Sequence, residues 1–166
     1  MSEAEREREG RLLSALRERF GIEGAPAGLE LLTSAKRARL VTREALEFLD
    51  VAAVAGVYVA RETPFGIHLS IEGAALLGPL AEKNVVEIPE DLVDAWMSGS
   101  DIEIGGLPGV EPGPVILRCG EVYLGSGLYD GSRIRNMVSR ARRSEPEQEF
   151  MDYALRREKE ERGEEA

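Results

Sequence analysis

The chain has 166 residues, of which 43% are hydrophobic, enough for one compact domain or two small ones around a buried core. Its single cysteine, Cys119, excludes a disulfide framework or a four-cysteine zinc site within one chain and favours a reducing compartment. The first residues are acidic and polar, and no later apolar run has the length of a membrane span, so we expect a soluble cytoplasmic protein.

The formal charge is distributed unevenly. A net charge of −10 argues at first against a nucleic-acid partner, because binding to phosphate depends on cation contacts and counterion release. Residues 1–10 and 144–166, however, carry −2 and −5 of this total. Residues 131–143, the arginine segment, contain five arginines and no acid: Arg133, Arg135, Arg140, Arg142 and Arg143. Because the local field decides where a polyanion docks, this segment is a candidate binding site.

The first half of the chain alternates short helices and short strands. Leu12, Leu16 and Phe20 recur at helical spacing, and Thr42 and Ser70 stand where a side-chain oxygen caps a first helical turn. The predicted elements are helix 11–20, strands 29–33 and 37–41, helix 43–49, strands 56–61 and 66–69, and helix 71–77. This order predicts a small α/β domain.

The second half is rich in strands that glycine and proline turns separate. A strand at 84–88 precedes a helix that Pro89 opens and that runs through Trp96. Further strands are predicted at 101–104, 114–119 and 122–124. Short strands with such turns are typical of a small β-barrel.

An acidic tail closes the sequence. Ser144 and Glu147 match a capping box, and the apolar residues that follow share one helical face. We therefore expect an α+β protein in three parts. These are an N-terminal α/β domain at 1–88, a β-barrel at 89–143 and an acidic helical tail at 144–166.

Residues that commonly carry catalysis are few and isolated. His68 alternates with apolar neighbours in a predicted strand, which favours a structural or surface role over that of a general base. Cys119 has no second histidine or nucleophile motif, and the acids at 87–94 fall mostly in a first helical turn. The glycine run at 125–131 lacks the Lys-Ser/Thr ending of a phosphate-binding loop and is typical of tight turns. We predict no catalytic residue, no metal site and no cofactor.

The arginine segment offers stronger chemistry. A guanidinium donates two parallel hydrogen bonds to a phosphate and also stacks on bases. Asn136 adds a donor and an acceptor for a base edge or a sugar. The alternative is a solvated basic face that pairs with the acidic tail beside it. Composition alone leaves both interpretations open.

Three stretches carry a recognisable pattern. Residues 91–104 hold a helix that ends in a "large apolar, x, Gly, x, Asp, apolar" turn, residues 123–127 read YLGSG, and residues 130–143 read DGSRIRNMVSRARR. The first two resemble a PUA domain. The third resembles the basic run in the C-terminal PUA-like domain of Sun-type RNA 5-methylcytosine methyltransferases. Residues 19–22, 35–40 and 66–74 are similar to the region that precedes that domain in the same family.

The resemblance implies a pre-PUA domain, a PUA-like β-barrel and RNA contact through the basic run. The RNA-binding residues that it implies are Arg133, Arg135, Asn136, Arg140, Arg142 and Arg143, with Gly125 and Gly127 in the adjoining strand and turn. The methyltransferase domain has no counterpart in the chain, so methylation is not implied. Ser139 departs from the family, which often has proline there.

We therefore expect an RNA-binding accessory protein of rRNA or tRNA modification or maturation, not an enzyme. It would recognise structured RNA by shape and phosphate contacts, with no role for a membrane. A protein-interaction adaptor is the alternative. In that case Trp96, the apolar face of the tail and the acidic ends would bind an RNA methyltransferase or a ribosomal protein.

Overall fold

The computed structural model describes residues 2–34, 36–48, 56–142 and Gly163, which form a mixed α+β fold. In chain order the elements are α1 (Glu3–Phe20), β1 (Leu29–Ser34), β2 (Arg37–Thr42), α2 (Arg43–Leu46), β3 (Val57–Thr63), β4 (Gly66–Leu69), α3 (Ile71–Leu77), β5 (Val85–Glu87), α4 (Val93–Met97), β6 (Ile102–Glu103), β7 (Gly113–Cys119), β8 (Val122–Tyr129) and β9 (Arg133–Asn136). Short 3-10 turns lie at Gly78–Leu80, Glu90–Leu92 and Arg140–Arg142. Within these described ranges, no helix is both long and apolar enough to cross a membrane.

The first sheet has four antiparallel strands in the order β1-β2-β3-β4. Leu12, Leu16 and Phe20 follow one another on one face of α1 and are buried in the core beneath this sheet. The predicted helix and both predicted strand pairs are confirmed, although α1 begins at Glu3. The first turns of α1 are charged and carry no apolar periodicity, so the sequence pattern did not reveal them.

Two predicted helix caps are formed. The Thr42 hydroxyl accepts a hydrogen bond from the Ala45 N–H at 3.2 Å, and the Ser70 hydroxyl accepts one from the Gly73 N–H at 2.9 Å. Each cap satisfies a backbone donor that the helix leaves unpaired, which typically stabilises a helix by about 1 kcal/mol. The caps fix the start of α2 directly after β2 and the start of α3 directly after β4.

The second sheet has five strands in the order β5-β7-β8-β9-β6, with β5 parallel to β7 and the other pairs antiparallel. Because β5 and β6 lie at its two edges, the predicted β-barrel is a half-barrel in the described residues. Trp96 is 0% exposed in its core, and the indole N–H donates to the Leu124 carbonyl at 2.8 Å. The prediction that Trp96 binds a partner in the adaptor alternative is therefore wrong, because the buried ring presents no surface.

Strands β8 and β9 differ from the sequence-based prediction. β8 continues through the glycine run to Tyr129, since Gly125 adopts a φ of +91° and bends the strand without ending it. β9 was not predicted at all. It spans only four residues and alternates two arginines with Ile134 and Asn136, a pattern too short and too charged to give a strand signal.

The two sheets are joined through β7 and β8. Val115 and Leu117 pack in the core of the second sheet, whereas Ile116 between them packs in the core of the first. The Leu69 N–H donates to the buried Ser126 hydroxyl at 2.9 Å, which ties β4 to β8. The same face of the second sheet that carries Ser126 therefore meets the first sheet.

The predicted domain limits relate to these sheets as follows. The division between residues 88 and 89 falls just after β5, a strand that the second sheet contains. The acidic tail at 144–166 lies outside the described residues except for Gly163. Its predicted helix therefore stays a prediction.

Candidate nucleic-acid interface

Strand β9 carries the first two residues of the arginine segment. Ile134 is buried in the core of the second sheet, so its neighbours Arg133 and Arg135 lie on the opposite face. Arg135 pairs in register with Leu128, two residues along β8 from Ser126. Cross-strand partners lie on the same face of a sheet, and so do residues two positions apart in one strand. Arg135 therefore lies on the same face as Leu128 and Ser126, which is the face that meets the first sheet.

The two arginines differ in their surroundings. The Arg133 Nε lies 3.6 Å from Asp130 Oδ2. Backbone N–H groups of Ser132 and Arg133 donate to Asp130 Oδ1, both at 2.9 Å, and these bonds lower the pKa of Asp130 to about 2. Asp130 is therefore ionised at neutral pH and partly neutralises Arg133. Arg135 is exposed and has no ion pair among the residues that the structure describes.

The Asn136 side chain is engaged within the protein. Its Nδ2 donates to the Trp96 carbonyl at 2.7 Å and to the Ser100 carbonyl at 3.0 Å. Its Oδ1 accepts from the Val138 N–H at 2.9 Å, and its own N–H donates to Asp101 Oδ1 at 2.8 Å. Asn136 thus fixes the end of β9 to the turn between α4 and β6. Both amide protons are used, so RNA contact through this amide would require these bonds to open.

The two predicted glycines lie inside β8 and are buried. A Cβ at Gly127 would lie 2.9 Å from Trp96 Cη2 and closer still to Ile134 Cγ2, so only glycine allows β8 to approach the core this closely. Gly125 has a positive φ and sits beside Ile71 and Val138. Both glycines shape the sheet that carries the arginines, and neither presents a side chain to a ligand.

The end of the arginine segment turns back towards α3. The Arg142 N–H donates to the Ser139 carbonyl at 2.8 Å within the 3-10 turn, and its guanidinium forms an ion pair with Glu72. Arg140 is exposed and has no ion pair in the described part of the chain. Arg143 lies outside the described residues, so its predicted role is untested.

The single histidine ties the arginine segment to the first sheet. His68 is 9% exposed and forms a hydrogen bond with the backbone of Met137, just beyond β9. Burial, and after it the nearby charge of Arg61, lowers the pKa of His68 to about 4. The imidazole is therefore neutral at physiological pH. It adds no charge to the surface around it.

Arginines from the first sheet gather on the side that faces this histidine. Arg37 in β2 pairs in register with Arg61 in β3, and Arg61 pairs with His68 in β4. Arg39 pairs with Tyr58 because a β-bulge shifts the register after Ala38. The bulge adds one residue to β3 and so turns Tyr58 to the same face as Arg61.

Tyr58 lies among these cations. The Arg37 guanidinium carbon is 5.7 Å from the centre of the Tyr58 ring, a cation–π distance. Burial raises the pKa of Tyr58, while the charges of Arg61, Arg37 and Arg39 act in the opposite direction. The phenol is therefore a neutral hydrogen-bond donor within a cationic neighbourhood.

A cleft of about 470 Å³ opens between the first sheet and the residues that follow β9. We call it the arginine cleft. Arg37, Arg61 and Arg142 line it together with one acid, Glu72. Its other lining residues are Tyr58, His68, Leu69, Ser70, Ile71, Gly125, Ser126, Met137, Val138 and Ser139. The cleft is thus built from both sheets, and one of its walls is the arginine segment.

Comparison with known proteins bears on the second sheet. Residues 83–144 match the family model described as the methyltransferase RsmF PUA domain. This segment is similar to that PUA domain, and we call it the PUA-like domain. It resembles the PUA region of Sun-type methyltransferases, as the sequence patterns predicted, and PUA domains suggest RNA binding. No curated protein matches the chain.

The PUA-like domain, as matched, begins before β5 and ends just beyond the arginine segment. It therefore contains all the residues for which RNA contact was predicted. Arg37, Tyr58 and Arg61 lie outside it and were missed by sequence reasoning. The alternation Arg37-Ala38-Arg39-Leu40 places two arginines on one face of the strand, a signal that the sequence analysis did not use. Only the strand register and the bulge bring that face to the PUA-like domain.

The structure also shows the surroundings of the residues that the sequence offered for catalysis or metal binding. Cys119 is partly buried beside the core of the PUA-like domain. Glu87 forms a 2.8 Å ion pair with Arg118, and its hydrogen bonds with Arg118 and with the Gly120 N–H lower the pKa of Glu87. In the described ranges, no group of three or more His, Cys, Asp or Glu residues could hold a metal ion.

Proposed function

We propose that the chain is an RNA-binding accessory protein in rRNA or tRNA modification or maturation. The observation that carries the proposal is the match of residues 83–144 to the RsmF PUA domain. Cytoplasmic localisation, predicted from the sequence, belongs to this proposal.

The proposed RNA surface is the arginine segment. Arg135 and Arg140 are exposed and lack ion pairs among the described residues, so their guanidinium groups are the ones most ready to bind phosphate. Arg133 and Arg142 each share their charge with an acid and would contribute less. In this proposal Asn136, Gly125 and Gly127 support the surface from within rather than touching RNA.

We propose that the four-stranded sheet and α1 form a pre-PUA-like domain, and that residues 144–166 form an acidic helical tail. The support for the first is the separate core that α1 builds with this sheet. We further propose that the chain binds RNA without chemically changing it. The support for that part is the pKa of His68, which burial lowers to about 4, because a general base works best with a pKa near the ambient pH.

Charge reversal tests the proposed surface. The double variant Arg135→Glu, Arg140→Glu should bind a fluorescein-labelled tRNA transcript or rRNA hairpin at least about tenfold more weakly than the wild type, because each arginine lost removes a phosphate contact. Fluorescence anisotropy measures the affinity, and thermal unfolding checks that the variant is folded.

The matched control is the double variant Arg6→Glu, Arg17→Glu, which makes the same charge change at two exposed positions of α1 outside the PUA-like domain. Its RNA affinity should stay close to that of the wild type. Equal affinities for the double variant and the wild type would reject the arginine segment as the RNA surface.

The adaptor alternative now depends on other residues than Trp96. Phe48 and Phe65 are 61% and 62% exposed, and each could anchor a protein partner. An adaptor would keep its partner, a methyltransferase or a ribosomal protein, after Arg133 and Arg135 are replaced by glutamate. An RNA-binding protein would lose its RNA in the same variant.

A further inference from the structure

The arginine cleft holds an unbalanced positive charge. Of its three arginines only Arg142 has an acidic partner, Glu72, in the described residues. Arg37 and Arg61 stand directly opposite each other on neighbouring strands. Like charges at such positions destabilise a sheet, and an anion between them would relieve the repulsion. The paired strands therefore present a site ready for a phosphate.

The cleft also presents flat surfaces for a base. The bulge in β3 turns Tyr58 into the cleft, where its ring lies 5.7 Å from the Arg37 guanidinium. Aromatic rings and guanidinium planes are the surfaces on which unpaired bases stack in RNA-binding proteins. Ser139 adds an exposed hydroxyl at the opposite wall.

The size of the cleft determines which form of RNA can enter it. Its volume of about 470 Å³ lies within the range of small-molecule sites, roughly 300–1,000 Å³. A double helix offers proteins a broad, shallow minor groove and cannot enter a concavity of this size. A single unpaired nucleotide can enter it.

The cleft continues the surface that the arginine segment forms. Gly125 and Ser126 line the cleft from β8, and Arg135 lies on the same face of that sheet through its register with Leu128. Met137, Ser139 and Arg142 follow β9 directly and build one wall. A strand of RNA bound along the arginine segment would therefore run into the cleft.

We propose that the arginine cleft binds one unpaired nucleotide of the RNA, with its phosphate between Arg37 and Arg61 and its base against Tyr58. The inference rests on the proposed RNA-binding function and extends it, since these three residues lie outside the matched PUA-like domain. The ligand is an extruded or single-stranded nucleotide attached to structured RNA. The duplex itself binds to the arginine segment.

Two labelled RNAs test this inference: a blunt hairpin, and the same hairpin with a short unpaired oligoadenosine 3′ extension. By fluorescence anisotropy, the wild type should bind the extended hairpin about tenfold more tightly, since stacking of one base contributes on the order of 1–3 kcal/mol. Arg61→Glu and Tyr58→Leu should remove this preference, so that each variant binds the two hairpins with similar affinity. Arg61→Gln, a milder change at an exposed position, should remove most of it.

The controls separate the two proposals. Arg17→Glu should keep the preference, and Arg135→Glu should weaken binding of both hairpins alike. Equal wild-type affinities for the two hairpins, or a preference that persists in Arg61→Glu and Arg61→Gln, would overturn the cleft proposal while RNA binding stands. Binding of adenosine 5′-monophosphate is measured in the same variants. If Arg61→Glu loses this binding while the 3′ extension does not change hairpin affinity, the cleft is a free-nucleotide site and the cleft proposal is overturned. Failure of the wild type to bind either hairpin would overturn both proposals.

Discussion

At the scale of single residues, polar side chains in this protein hold the two sheets and the arginine segment together. Asn136 joins β9 to the turn after α4, Ser126 joins β8 to β4, and His68 joins β4 to Met137. Each of these bonds spans residues far apart in the chain. The arginines are thus displayed on a backbone that buried polar groups hold in place.

Burial of His68 predicts a pH-dependent stability. Its pKa is about 4 in the folded protein and ordinarily 6.5, so the unfolded chain binds a proton more readily as the pH falls below 6.5. The free energy of unfolding should therefore decrease on acidification, by about 2 kcal/mol between pH 7 and pH 5 from this residue alone. Urea unfolding at the two pH values measures it.

The variant His68→Asn separates the histidine from other titrating groups. It should lose stability at pH 7 and show a smaller difference between pH 7 and pH 5 than the wild type. An identical pH dependence in both proteins would mean that His68 is not buried in its neutral form.

At the scale of elements, close packing of β8 against α4 and β9 shapes the PUA-like domain. A Cβ at Gly127 would press on Trp96 and Ile134, two side chains with 0% exposure. Gly127→Ala should therefore lower the free energy of unfolding by about 1–3 kcal/mol, as expected for overpacking a core. Gly24→Ala is the matched control, because nothing lies within 4 Å of a Cβ at that position. Equal stability of the two variants in urea unfolding would contradict the packing at Gly127.

Elements with strong local signals could be predicted from the sequence. The caps at Thr42 and Ser70, the proline that opens the segment before α4 and the paired strands of the first half all depend on neighbouring residues. β9 and the continuation of β8 depend instead on their pairing with each other. Their short length and high content of glycine and arginine hid them.

The candidate site was predictable only in part, because some of it depends on pairing between strands and not on local sequence. The arginine segment is contiguous in the sequence and was found there. The sequence did not show that two of its arginines share their charge with an acid, since Arg142 turns towards Glu72 and Arg133 towards Asp130. The opposite wall of the arginine cleft depends on strand register and a bulge, which no local pattern encodes.

At the scale of the whole molecule, the distribution of charge decides where a polyanion binds more than the net charge does. The chain has a net charge of −10, yet three arginines and one glutamate line the cleft between its sheets. Acids concentrate in residues 1–10 and 144–166, at the two ends of the sequence. A polyanion should therefore be attracted to one side of the PUA-like domain despite the unfavourable total.

The salt dependence of RNA binding tests the role of the arginine segment most directly. Affinity for a tRNA transcript is measured by anisotropy at increasing concentrations of potassium chloride. With about three to five phosphate contacts, the logarithm of the association constant should fall against the logarithm of salt concentration with a slope of roughly −2 to −4. A flat response would contradict RNA binding through the arginine segment.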